Sequence, residues 1–251
     1  MQELIVQRLH EIENTEHIRI LMAVESGSRA WGFSSPDSDY DVRFLYVRPQ
    51  KEYLRLDRLR DVIELPINDL LDVNGWDIDK ALKLLFRSNP TLFEWLASPV
   101  VYMETAYANI LRSAAKEYFI SKHGLYHYHS MAESNYREYL KTDMVKAKKY
   151  FYVLRPILAC KWILEYRSQP PMLFSELMDA ELESELRPVV LQLLELKINT
   201  PEVKQIPRID SMNAYLEDNL TVIKAQISAL PEEKSNQWDG LNQLFLKALE
   251  I

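Results

Sequence analysis

The sequence predicts an α+β protein: a short mixed sheet with flanking helices in the N-terminal half, followed by an all-helical C-terminal half. Three observations lead there. Short apolar runs bounded by turn residues fall before about residue 104, and helix-period patterns fill nearly everything after it. Only 5 glycines stand against 14 tyrosines, which suits a largely helical chain with few tight turns.

Taken in order, residues 1–16 read as a helix because Leu4, Ile5, Leu9 and Ile12 recur at helical spacing. Ile18 to Val24 is apolar enough for a buried first strand, and Ser26 to Trp31 then turns into a short helix. A second strand spans about Asp39 to Val47 and is ended by Arg48-Pro49. Tyr53 to Arg60 is charged and irregular, and Val62–Leu65 and Leu70–Val73 are short strands. Asp77 caps a helix to Phe86, and Ser88-Asn89-Pro90 starts another through Trp95, stopped by Ser98-Pro99. Helical patterns follow over 104–119, 121–140, 141–166, 182–197, 211–229 and 237–250. They are broken at Pro170-Pro171, Thr200-Pro201, Pro207 and Pro231. The expected organisation is therefore 1–103 and 104–251. Pro156, inside an apolar helical pattern, predicts a kink.

The bulk numbers exclude more than they assign. At 251 residues, 47% hydrophobic and 27% charged, the chain is long enough for one large domain or two small ones. No apolar run spans a bilayer, and the first residues lack the basic-then-apolar pattern of a secretory signal. Cys160 is the single cysteine, which excludes an internal disulfide and a cysteine-based zinc site. A cytoplasmic protein with no membrane partner is expected. A net charge of −7 argues against a general nucleic-acid coat but leaves room for a local basic groove.

The chemistry concentrates between Gly27 and Val47. If Asp39 to Val47 is a strand, alternation puts Asp39 and Asp41 on one face and Tyr40 and Val42 on the other. Paired carboxylates are hard ligands that suit Mg²⁺ (or Mn²⁺) carried by a polyphosphate. Upstream, the turn Gly27-Ser28 lets backbone N–H groups approach phosphate oxygens without a Cβ in the way. Arg29 suits either phosphate or a surface cap, and Ser38 suits either the triphosphate or a turn, with the turn favoured.

The wording GSRAWGFSSPDSDYDVRFLYV, then GWDIDKALKLL, SNPTLFEWLASPVVY and KKYFYVLRPILACKWI, resembles a known group over roughly positions 20 to 165. It is similar to the nucleotidyltransferases described as RNA-ligase-associated proteins, within the DNA polymerase β-like nucleotidyltransferase superfamily. The resemblance implies a catalytic domain over 1–103 and a helical substrate- and nucleotide-binding domain over 104–251. It implies metal-dependent transfer of a nucleoside monophosphate from an NTP, with ATP favoured, to a hydroxyl, an RNA end being one candidate acceptor. Such chemistry needs a third carboxylate beside Asp39 and Asp41. Asp72 and Glu64 share the same apolar–acid–apolar setting, and Asp72 is favoured because it lies in the family-like wording.

In the helical half, Lys146 and Lys149 share a helix face ahead of Tyr150 and Arg155. Lysine clusters are most often solvated helix faces; similarity to the family stretch raises Lys149, Tyr150 and Arg155 as secondary nucleotide-binding candidates. The expected arrangement is a cleft with the carboxylates on one wall and these cations on the other. His123, His127 and His129 lack the neighbours of a zinc motif, and Cys160 reads as a buried small hydrophobe. Two other functions stay open. One is a nucleotide-sensing module without turnover, against which the intact Asp39-x-Asp41 argues. The other is a protein-modifying, AMP-transferring toxin–antitoxin component.

Overall fold

The first apolar stripe forms the helix expected of it: α1 (Gln2–Glu16) buries Ile5, Leu9 and Ile12 and ends at His17 in the left-handed region. This is seen in a computed structural model that describes residues 1–66, 70–199, 205–233 and 236–251. The chain divides into two compact units. One comprises Met1–Ala30, Asp39–Tyr118 and Ser235–Ile251, the other Trp31–Ser38 and Phe119–Lys234.

The first unit is built on a 5-stranded mixed sheet ordered β3-β4-β2-β1-β5. β1 (Arg19–Glu25) is buried along almost its whole length, as its apolar run predicts. It pairs antiparallel with β2 (Tyr40–Val47) on one side and β5 (Val101–Glu104) on the other. Between β1 and β2 lies a single helical turn, α2 (Gly27–Ala30). β4 (Leu71–Asp77) runs parallel to β2, and β3 (Val62–Glu64) closes the other edge antiparallel to β4. In β4 burial alternates, so Leu71, Val73 and Asp77 face one way and Asp72 and Asn74 the other. α3 (Gln50–Tyr53) precedes β3, while α4 (Ile78–Phe86) and α5 (Pro90–Ala97) follow β4 with Asp77 and Asn89 as N-caps.

Two later helices join this unit, so it extends beyond the expected 1–103. In α6 (Ala106–Tyr118), Tyr107 is buried and its hydroxyl donates to Leu244 O at 2.9 Å in α12 (Trp238–Ala248). Trp238 stacks on Phe86 with ring centres 3.8 Å apart. β5 has no counterpart among the elements the sequence predicts. Its 4 residues owe their extended form to pairing with β1 rather than to a pattern of their own.

The second unit is helical: α7 (Ser121–Tyr139), α8 (Ala147–Tyr166), α9 (Phe174–Glu181), α10 (Arg187–Asn199) and α11 (Asp210–Ala229). α8 begins at Ala147 rather than 141, because β6 (Met144–Lys146) pairs with β7 (Gln205–Pro207). The run expected over 182–197 starts later, and α9 precedes it. α8 continues through Pro156, where the expected kink would lie. The expected break at Thr200-Pro201 lies outside the described residues. Phe33 is part of this core, with Phe151 and Phe174 at 5.1 and 5.3 Å between ring centres. That packing is why Trp31–Ser38 belongs here, although it follows α2 and precedes β2 in the chain. Among the described residues no helix is long and apolar enough to cross a membrane.

Candidate active site

Parallel pairing places two of the expected carboxylates side by side. Asp41 on β2 is the register partner of Asp72 on β4, and Arg43 is the partner of Asn74. Asp41 and Arg43 share the face opposite Val42 and Phe44, which are fully buried. The Arg43 guanidinium joins the pair, with Nη2 donating to Asp41 Oδ1 at 3.0 Å and to Asp72 Oδ2 at 2.7 Å. Glu64, the other candidate, sits one strand further out on the edge. There it faces Asn74 and forms an ion pair with Arg60. Asp39 is exposed and lies just before the first paired residue of β2.

The Gly-Ser turn is held directly against this pair. Gly27 has φ 60, and a Cβ there would lie 2.1 Å from Asp41 Oδ2. Both the left-handed backbone and the close approach therefore demand glycine. Ser26 N–H donates to Asp41 O at 2.8 Å, and Arg29 Nε donates to Asp39 O at 3.1 Å. The Arg29 guanidinium also lies 3.7 Å from the centre of the Tyr40 ring. Main-chain oxygens of both aspartates thus tie the turn to the strand. Ser28, half-buried in α2, is carried by the same turn.

A fourth carboxylate went unnoticed in the sequence. Glu25 is fully buried at the end of β1. Its Oε1 accepts from Asp41 N–H at 2.7 Å and its Oε2 accepts from the Tyr102 hydroxyl on β5. Burial pushes the Glu25 carboxyl up, opposed mainly by its bonds to Tyr102 and Asp41; burial and Glu25 together push the Tyr102 phenol up. The available signal was an acid ending an apolar run immediately before Ser26-Gly27-Ser28. Arg43 was equally legible, as a charge spaced by two from Asp41 within an apolar strand.

Hard oxygens from Asp41 and Asp72 fit a divalent ion that also takes phosphate oxygens. They do not form a cage of their own. Among the described residues no group of three His, Cys, Asp or Glu side chains could hold a metal ion. The histidine helix and Cys160 add none. His129 Nε2 pairs with Leu220 O at 2.9 Å, and Cys160 is buried with its thiol pushed up by that burial.

The candidates of the helical unit have partners within that unit. Lys149 Nζ lies 3.4 Å from the centre of the Tyr139 ring and 4.8 Å from that of Tyr152. The buried Tyr150 hydroxyl donates to Asn213 Oδ1 at 2.9 Å and accepts from Ile209 N–H at 2.8 Å. Arg155 is 2% exposed, with its guanidinium 4.6 Å from the centre of the Trp31 ring. Ser38 Oγ closes the turn it precedes Asp39 from, accepting from Ser35 N–H at 2.9 Å, and buried Lys197 donates to it at 3.4 Å.

A model of the RNA repair pathway DNA polymerase beta family matches residues 1–247. The chain is 45% identical over 252 residues to an uncharacterized protein of Bacillus subtilis (strain 168), YcgL, covering 100% of this chain and 97% of that one. It also has a likeness to the crystal structure of a nucleotidyltransferase-like protein from Exiguobacterium sibiricum 255-15. That match covers 90% of this chain and 75% of the other, at 12% identity and a TM-score of 0.32.

Proposed function

The chain belongs to the RNA repair pathway DNA polymerase beta family, and from that premise we propose that it transfers a nucleoside monophosphate from an NTP, with ATP favoured, to a hydroxyl. The proposed acceptor is an RNA end, on the strength of the family's description. The observation that carries the reading is the contact of Gly27 with Asp41 beside its register partner Asp72. A phosphate-compatible turn against a carboxylate pair supports a single site for triphosphate and metal.

In the proposed reaction the acceptor oxygen bonds to the α-phosphorus as the bond to the leaving pyrophosphate breaks, and the hydroxyl proton passes to a carboxylate of the site. Asp41 and Asp72, with Asp39, would hold divalent metal, which supplies charge stabilisation to the nucleophile and the leaving oxygen. Gly27 and Ser28 would receive phosphate oxygens on their N–H groups. Arg29 anchors that turn through Asp39 O. Glu25, through its bond to Asp41 N–H, holds the strand entrance that carries both acids.

The deciding experiment offers α-labelled triphosphates, Mg²⁺ or Mn²⁺, and cellular RNA to the full chain. Label in RNA that requires Asp41 and divalent metal is the expected result. Nucleotide binding without any transfer would overturn the proposal in favour of a sensor. Label on protein would move the acceptor to a protein hydroxyl.

A further inference from the structure

Arg43 is held by two kinds of bond that respond differently to a ligand. Nη1 donates to two main-chain carbonyls, Val42 O at 3.1 Å and Asp72 O at 2.8 Å. Those oxygens belong to paired strands and cannot turn aside, so the guanidinium stays where the sheet puts it. Nη2 donates to the carboxylates of Asp41 and Asp72. Carboxylates can rotate away, releasing Nη2 without displacing the side chain. The Arg43 side chain is only 16% exposed, so solvent screens its charge weakly.

We propose that Arg43 is a positioning residue that makes the Asp41–Asp72 pair accept a divalent cation only together with a triphosphate. The inference rests on the nucleotidyl-transfer reading above. The guanidinium offsets one of the two carboxylate charges and takes one oxygen of each acid. A bare dication approaching the pair meets a fixed positive charge within bonding reach of both acids, and like charges at such range repel strongly where screening is weak. A metal–triphosphate complex carries net negative charge, so the same guanidinium attracts it. Nη2, once released by the carboxylates, is a donor for a phosphate oxygen in the geometry arginine favours. Metal and nucleotide then enter as one species.

The test measures Mn²⁺ uptake by the full chain from the free-ion paramagnetic signal, alongside thermal unfolding, for the parent, Arg43→Gln and Arg43→Lys. Without nucleotide, Arg43→Gln is expected to bind Mn²⁺ at least about tenfold more tightly than the parent. Arg43→Lys keeps the charge and should stay with the parent. With a non-hydrolysable triphosphate the order reverses, the parent taking up Mn²⁺–nucleotide more tightly than Arg43→Gln. Equal Mn²⁺ affinity of the parent and Arg43→Gln without nucleotide overturns the proposal. So does a lower Tm for Arg43→Gln with no gain in Mn²⁺ affinity, the signature of a merely structural residue. Should Arg43→Gln fail to fold, the parent decides: a Mn²⁺-dependent rise in Tm without nucleotide that disappears in Asp41→Asn overturns the inference. Failure of the parent to take up Mn²⁺ even with triphosphate would instead overturn the nucleotidyl-transfer reading itself.

Discussion

The candidate residues of the sheet unit meet one another, whereas those of the helical unit meet something else. Gly27 touches Asp41, Asp41 is paired with Asp72, and Arg29 reaches back to Asp39. By contrast Lys149 lies against tyrosine rings, Tyr150 bonds to Asn213, and Arg155 is buried beside Trp31. The difference follows from the periodicity of the elements that carry each group. A strand has a period of two, so within β2 Asp41 and Arg43 share a face and parallel register carries it to Asp72 on the next strand, whereas Asp39 lies just before β2. A helix that is apolar around much of its girth has no such single face. In α8 both Tyr150 and Arg155 turn inward, where the hydroxyl and guanidinium find internal partners.

The largest effects should therefore come from the sheet unit. Asp41→Ala and Asp39→Ala should each lower label transfer by about a thousandfold or more while Tm stays near the parent value. Asp72→Asn should do nearly as much. Glu64→Gln should change transfer less than about threefold, since it removes only an exposed edge ion pair. Transfer rates at matched protein and metal concentrations decide this, and the reverse ranking of Asp72 and Glu64 would move the third carboxylate to the sheet edge.

Gly27→Ala comes next. The new methyl would meet Asp41 Oδ2 and the left-handed backbone would be strained. A cost of about 1–2 kcal/mol for the backbone alone is expected, with transfer falling by about a hundredfold as Asp41 shifts. Urea unfolding and single-turnover transfer read the two separately. A variant that loses stability but transfers normally would show that the turn shapes the fold and not the chemistry.

A smaller effect tests the helical side of the comparison. Tyr150→Phe removes the bridge between Ile209 and Asn213, leaving buried groups unpaired at a cost of about 1–3 kcal/mol. Triphosphate affinity should be unchanged. Lys149→Ala should weaken triphosphate binding more than Lys141→Ala, whose exposed Nζ pairs with Glu217 at 2.9 Å. Nucleotide titrations of all three decide it. Loss of affinity in Tyr150→Phe with stability kept would erase the contrast between the units. Parent-like binding by Lys149→Ala would remove that lysine from the nucleotide site.

What was legible follows the same physics. β1, β2 and α1 were readable because their apolar patterns are long, and the family wording lay across the turn and strand that carry the chemistry. β5, β6 and β7 were not, because strands of 3 or 4 residues are defined by their partners. The first unit's reach into α6 and α12 was hidden for a related reason: Tyr107 and Leu244 lie far apart in sequence. Among site residues, Glu25 and Arg43 were missed because a charge at the end of or within an apolar run looks like noise until its neighbours are known.

β4 supplies the finest test, since the same substitution at its two ends should do opposite things. Asp72→Asn removes a carboxylate from the site; Asp77→Asn, at the far end of the strand, keeps an oxygen to cap α4, where Oδ1 accepts from Asp79 N–H at 2.9 Å. Transfer by Asp77→Asn should stay within about twofold of the parent, because the asparagine oxygen keeps the α4 cap and residue 77 faces the opposite side of β4 from Asp72. Its signature is in stability. Burial pushes the Asp77 carboxyl up to about 6, above the unfolded value near 3.9. The folded state then holds the proton more tightly than the unfolded chain. This contribution to stability is fully present below about pH 4 and is lost as pH rises through about 6, amounting to at most about 3 kcal/mol. Urea midpoints of the parent and Asp77→Asn, compared from pH 4 to 7, should therefore diverge in favour of the variant as pH rises. A constant difference across that range would mean that Arg48, whose Nε lies 3.7 Å from Asp77 Oδ2, keeps the carboxylate ionised throughout.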